Sequence, residues 1–209
     1  MRQARLRVVV LALCALFTGA SLLAAVLLHL SLGLTLAVVG AVAVVVAAAV
    51  VRTLPPRART ELRRRALAGA AGGIAGVALY DAVRLSLVAA LHLHVRPLEA
   101  LPLFGALIAG VVPHSPASWV IGTFYHYTNG VAFGVSYGIA LGRRAWWWGI
   151  PWALGLEALM LMLYPGWLHI GAAVMEEFTL VSLCGHLAYG TGLGLGTTAV
   201  LRRNPSVLS

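Results

Sequence analysis

Stretches of about twenty apolar residues recur at least four times along the chain. Each is long enough to cross the roughly 30 Å hydrocarbon core of a bilayer. Composition points the same way: 61% of the 209 residues are hydrophobic and 10% are charged, against about 45–50% and about 25% in soluble domains. Mean hydropathy is +0.93. A disulfide scaffold is also excluded, because Cys14 and Cys184 are the only cysteines and both lie inside apolar runs. The chain reads as an all-α polytopic membrane protein.

The net charge of +9 comes entirely from arginine, since lysine is absent. Clusters at Arg2/Arg5/Arg7, at Arg52 to Arg65, at Arg143/Arg144 and at Arg202/Arg203 each flank an apolar run. Positive charge at span ends holds loops on the cytoplasmic side, so the arginines set topology and contact lipid headgroups; nucleic acid is not an expected partner. Apolar runs predict helices at 8–30, 32–51, 66–91, 117–142, 145–164 and 178–201. A shorter piece within 98–116 carries Pro102 between Pro97 and Pro113. If it dips in and returns, all four arginine clusters share one face. The expected topology is six transmembrane helices with both termini cytoplasmic in a bacterial inner membrane, or seven if this piece crosses. A re-entrant segment must be shielded by protein, because lipid does not tolerate exposed irregular backbone.

Residues 1–51 read as an accessory N-terminal hairpin whose first run is too long for a signal-peptide core. Residues 52–65 read as an arginine-rich loop and hinge, 66–201 as the helical core, and 202–209 as a cytoplasmic tail. Within the core, Gly122, Gly130, Gly134, Gly138 and Gly142 share one helical face, and His126 fills the missing step. Gly72/Gly76 and Gly190/Gly194 repeat the four-residue spacing. Small residues at this spacing let helices pack closely by dispersion, so His126 must face another helix.

Ionisable groups inside a membrane are costly and mark function by default. At 1.5 Å per residue, Asp81 lies ~15 Å, Arg84 ~10 Å, His126 ~13 Å, Glu157 ~11 Å and His186 ~12 Å below the outer ends of their helices. Four helices thus place polar groups in one layer. Asp81 and Arg84, three apart, can pair. Asn129 lies one turn below His126, and Thr179, Ser182, His186 and Tyr189 run down the last helix. Glu176 and Glu177 mark that helix's outer start, where negative charge suits the dipole. Trp146, Trp147, Trp148 and Trp152 beside Arg143/Arg144 form an interfacial belt. His92, His94, His114 and His169 are expected in outer loops.

Several chemistries fit the layer. His126, Glu157 and His186 could ligate Zn²⁺ or Fe²⁺ as a two-His-one-carboxylate set, though no HxxxH or HExxH spacing is present. Glu157 or Asp81 could exchange protons with His126 or His186. His126 and His186 could hold a haem from opposite sides. A structural polar network that only fixes helix order is the remaining reading.

The C-terminal part carries His126-Tyr-Thr-Asn129-Gly130, Phe133-Gly134 and Tyr137, then a tryptophan-led helix, Pro165-Gly166, Glu176/Glu177 and Cys184-Gly185-His186-Leu187. In these features it resembles YagU-type small bacterial inner-membrane proteins and related uncharacterised families over about its last 80 residues. The resemblance implies a membrane fold, points to His186, and supplies no reaction. The leading expectation is a binding or proton/solute-handling membrane protein. The alternative is a membrane enzyme acting on a lipid or isoprenoid-like substrate. An enzyme should show a lipid-sized cavity at the polar layer, a transporter water access from both faces, and a scaffold neither.

Overall fold

The computed structural model describes residues 2–167 and 170–203, and every element among them is helical. In chain order these are α1 (Arg2–Ala15), α2 (Phe17–Leu28), α3 (Leu32–Arg52), α4 (Pro56–Leu91), α5 (Ala100–Ala109) and α6 (Pro116–Leu141). A single 3₁₀ turn (Trp146–Trp148) then leads into α7 (Gly149–Trp167) and α8 (Ala172–Arg203). Helices α3, α4 and α8 are long and apolar enough to cross a membrane, and α1 with α2 makes a fourth if the bent pair is one span.

Helix α4 is the centre of the bundle, with α6 against one face and α8 against another. Glycine makes both contacts possible. A Cβ at Gly73 would stand 2.7 Å from the Gly130 carbonyl oxygen, and one at Gly134 would stand 2.7 Å from the Cα of Gly73. On the other face, a Cβ at Gly76 would stand 2.8 Å from the Tyr189 ring and 2.9 Å from the Tyr189 carbonyl oxygen. No side chain fits at such separations. Both neighbours run antiparallel to α4: residues 69 to 77 meet 138 to 130 on α6, and 72 to 76 meet 197 to 189 on α8. Tyr189 pins the far side by donating from its hydroxyl to the Gly130 carbonyl at 2.8 Å.

Segment 92–116 folds back against the bundle. Residues 93–96 have no regular structure and lead inward to α5, which runs back outward antiparallel to α6. Gly105 meets the Ser118 carbonyl and Gly122 meets the Leu101 carbonyl, so these backbones touch. Helix α5 has ten residues, or about 15 Å, half the thickness of a hydrocarbon core. The shielding such a segment needs is supplied by α6 and by α3, where Gly33 lies against Ile108.

Three sequence expectations change. The run 8–30 is broken at Leu16, where α1 and α2 diverge by 58°. No proline or glycine sits at the break. Both halves pack on α3 and α6. Ser136 donates to the Ala12 carbonyl to hold α1 on α6, while Ser21 and Thr35 each donate to the other's carbonyl to hold α2 on α3. Most of the supposed loop 52–65 is helix, since α4 starts at Pro56. Proline suits the first helical position, and the Arg, Ala, Glu and Leu that follow are strong helix formers. Helix α8 begins at Ala172, six residues before the expected start, so Glu176 and Glu177 are not in its first turn and do not act as dipole caps.

The arginine-rich start of α4 is organised by one acid. Glu61 binds Arg64 at 3.0 Å, Arg65 at 2.9 Å and Arg143 at 3.1 Å, while Arg65 also donates to the Ile139 carbonyl. These four charged residues lie outside the apolar run 66–91. Burial pushes the Glu61 carboxyl up, but hydrogen bonds from the three guanidiniums outweigh it and hold the group down at about 2. A carboxyl lowered on folding stabilises the fold above its unfolded value of 4.5, and that contribution disappears as pH falls towards 2. Thermal unfolding in detergent should therefore lose stability across this window, and Glu61→Gln should flatten the loss. An acid limb unchanged by the substitution would show that the cluster contributes nothing.

Glycine packing gives a second prediction. Gly134→Leu should reduce the monodisperse yield sharply and cost more than the roughly 1–3 kcal/mol of ordinary overpacking, because its neighbour is backbone. Gly155→Leu, with nothing within 4 Å of a Cβ there, should be tolerated. Equal yields from the two variants would remove close packing as the organising feature.

Candidate functional site

Two histidine–carboxylate pairs form where α4, α6, α7 and α8 come together. In the first, Nε2 of His126 on α6 lies 3.2 Å from both carboxylate oxygens of Asp81 on α4. Arg84, one turn further along α4, approaches Asp81 at 3.7 Å. In the second, Nδ1 of His186 on α8 lies 2.6 Å from Oε2 of Glu157 on α7. Nδ1 of His186 is also 3.1 Å from the Ser182 carbonyl. A nitrogen facing two acceptors must carry hydrogen, so Nδ1 of His186 is the donor and Nε2 is left for other chemistry. Ser182 donates to the same Glu157 oxygen at 2.9 Å. Asp81 and Glu157 orient their histidines as buried carboxylates do in catalytic and metal-bound imidazoles.

Tyr80 stands between the pairs. Its ring centroid is 5.9 Å from His126 and 5.0 Å from His186, edge-on to the latter. The Arg84 guanidinium carbon lies 4.5 Å from the centre of the Tyr80 ring, a cation–π distance. Arg84 also donates to the Pro97 carbonyl, which ties the site to the inward-running segment. That segment is gripped from its other side by Glu177. Its carboxylate accepts from the backbone N–H of His94 at 2.6 Å and of Val95 at 2.9 Å, and pairs with Nδ1 of His94 at 3.1 Å. Irregular backbone at membrane depth requires such partners.

Between these groups lies a cavity of about 440 Å³. Tyr80, Arg84, His126, Asn129, Ser182 and His186 are among its polar lining residues. Most of the remaining wall is apolar, including Leu22 and Val26 of α2, Phe133, Leu156 and Phe178. The N-terminal hairpin is therefore more than the accessory element expected, since α2 supplies part of the wall. Carboxylates Asp81 and Glu157 do not line the cavity and sit behind their histidines.

The expected layer is thus brought together as two pairs. His126 goes to Asp81 and His186 to Glu157, so the three-residue ligand set of His126, Glu157 and His186 does not assemble. Among the described residues no group of three or more His, Cys, Asp or Glu side chains is placed to hold a metal ion. The two histidines considered for a haem are each paired with a carboxylate, and Tyr80 contacts both rings. Asn129 and Tyr189 both line the cavity, with Oδ1 of Asn129 buried and unpartnered among the described residues. Thr179 bonds its own helix at Met175, and Glu176 is exposed. His94 and His114 meet Glu177 and Glu99 at the surface, whereas His169 lies outside the described residues. Tyr80 was not legible as a site residue, because an aromatic in an apolar run reads as packing. Pro97 takes part through its backbone, which leaves no sequence signal.

Comparison with family models, with curated proteins and with solved structures finds no match. The likeness to YagU-type proteins rests on its motifs alone.

Glu177→Ala should release the inward-running segment. With their acceptor removed, the amides of His94 and Val95 should exchange faster in hydrogen-exchange mass spectrometry. Unchanged protection there would mean that Glu177 does not hold the segment.

Proposed function

We propose that this is a multi-pass membrane protein that binds a lipophilic small molecule in the cavity. It would exchange protons with that molecule through the His126–Asp81 and His186–Glu157 pairs. The observation that carries the proposal is the placement of both imidazoles on one cavity wall, each with a carboxylate behind it. An imidazole oriented in this way has one ring nitrogen turned to its carboxylate and the other left to meet a guest. The apolar remainder of the wall suits a lipophilic guest, and 440 Å³ falls within the range of small-molecule sites.

In this reading the bundle crosses a bacterial inner membrane six times, with α1 and α2 together forming one bent span. Its arginine clusters and both termini face the cytoplasm. Support comes from packing: α6 runs antiparallel along α4 from Gly69 to Val77, and α7 lies along α8, with Gly149 against Gly190 and Glu157 against Ser182. If α4 and α8 cross, their close-packed partners cross with them. Helix α5 reaches only half way. The glycine contacts are then the small-residue interfaces that drive association where lipid is as apolar as the side chains.

A second reading is favoured by the 2.6 Å separation of His186 and Glu157. So close a pair is a general acid–base unit, and the protein would then be an enzyme acting on the bound lipophilic molecule. A purely structural network has no need of a cavity at the polar layer.

The test uses detergent-purified protein and a lipophilic fluorescent probe, N-phenyl-1-naphthylamine. Saturable binding is expected, with a change in bound protons in weakly buffered solution. The cavity-filling variant Leu156→Trp should abolish binding. His186→Gln should retain fold and binding while the proton change falls by about half, since two pairs contribute. Non-saturable partitioning that Leu156→Trp leaves unaltered would end the proposal. Chemical conversion of a lipid extract, lost in His186→Gln, would establish the enzyme reading instead.

A further inference from the structure

We infer that the ligand is a single-chain amphiphile with an anionic head, a carboxylate or phosphate monoester, and that Arg84 receives the head. The inference rests on the cavity being a ligand site and adds the chemical class of its occupant.

The first argument is the order of charges around the cavity. Arg84, Arg96, His94, His126 and His186 line it, and Glu99 is the one carboxylate among the described lining residues. Glu99 is already engaged by His114 at 2.8 Å and by Arg96 at 3.9 Å. Asp81 and Glu157 stand behind the imidazoles. The described side chains facing the guest are thus mostly basic, and their acid partners, Glu99 apart, stand behind them or outside the lining. A cationic head would find Glu99 as its one carboxylate among them.

The second argument is the bonding of Arg84. Its side chain is 12% exposed. One terminal nitrogen faces Asp81 and the other donates to the Pro97 carbonyl, whereas Nε is buried without a partner among the described residues. A buried charged donor left unbonded bears its full desolvation cost, which an acceptor brought against Arg84 would relieve. Guanidinium also matches the planar oxygens of carboxylate and phosphate.

The third argument is shape. Beside these polar groups, Leu22, Val26, Phe133, Leu156, Leu163 and Phe178 supply apolar wall. A volume of 440 Å³ lies at the lower end of the roughly 300–1,000 Å³ seen for small-molecule sites. It suits one hydrocarbon chain rather than a two-chain phospholipid.

Calorimetry on the full-length protein in neutral detergent would compare probes with the same chain and different heads: dodecanoate, dodecyl phosphate, dodecanol and dodecyltrimethylammonium. Acetate and inorganic phosphate would report on the head alone. Both anionic amphiphiles should bind at least roughly tenfold tighter than dodecanol, and the ammonium compound should bind most weakly. Acetate and inorganic phosphate should not displace dodecanoate. Arg84→Gln should bring dodecanoate down to the level of dodecanol and leave dodecanol unchanged. If Arg84→Gln does not fold, the wild-type head-group series still decides. Equal affinity for dodecanol and dodecanoate would overturn the anionic head but leave the cavity as a ligand site. Displacement of dodecanoate by free acetate or phosphate would overturn the amphiphile in favour of a simple anion site. Binding by none of the probes would overturn the ligand-site reading itself.

Discussion

How closely α4 can lie against two neighbours decides everything else in this bundle. Gly69 and Gly73 admit α6 on one side, and Gly72 and Gly76 admit α8 on the other. Dispersion falls off steeply with separation, so backbone contact over several turns is a strong and directional glue where no hydrophobic driving force exists. The polar groups begin just beyond that contact. Tyr80, Asp81 and Arg84 follow Gly76 by one to two turns, and on α6 the glycine face passes from Gly130 to His126. His126 can meet Asp81 at 3.2 Å because the backbones one turn away already touch.

The pairs in turn fix which helices are neighbours. A charge removed from water is tolerated when a partner and further hydrogen bonds compensate it. Here the partners come from different helices: Asp81 of α4 with His126 of α6, and Glu157 of α7 with His186 of α8. Glycine contacts along the bundle allow sliding by a turn, because the four-residue spacing repeats. The ion pairs do not, since a one-turn slip carries an imidazole about 5.4 Å from its carboxylate. The two devices supply affinity and register separately. Glu157 is the more deeply enclosed, with 3% of its side chain exposed against 14% for Asp81, so α7 has less freedom to repack around it.

Depth was readable from the sequence and azimuth mostly was not. Counting residues from helix ends brought Asp81, Arg84, His126, Glu157 and His186 to one level, because rise per residue is constant. Which histidine meets which carboxylate depends on helix order and rotation, and only His126 carried such a signal through its place on a glycine face. A three-residue metal set therefore looked as reasonable as two pairs. Features that rest on backbone groups were invisible: the Pro97 carbonyl that Arg84 holds, and the two amides that Glu177 holds. No local residue announces the break at Leu16. The start of α4 at Pro56 was legible in principle, from a proline at the first helical position ahead of strong helix formers. Dense arginine drew the reading towards a loop instead.

Arg84 joins the cover of the cavity to its chemistry. The inward-running segment lacks regular backbone partners, and it is held against the bundle because Glu177 accepts from two of its amides and Arg84 donates to a carbonyl. The same guanidinium stacks on Tyr80, the ring that separates the two histidines, and neutralises Asp81, which orients one of them.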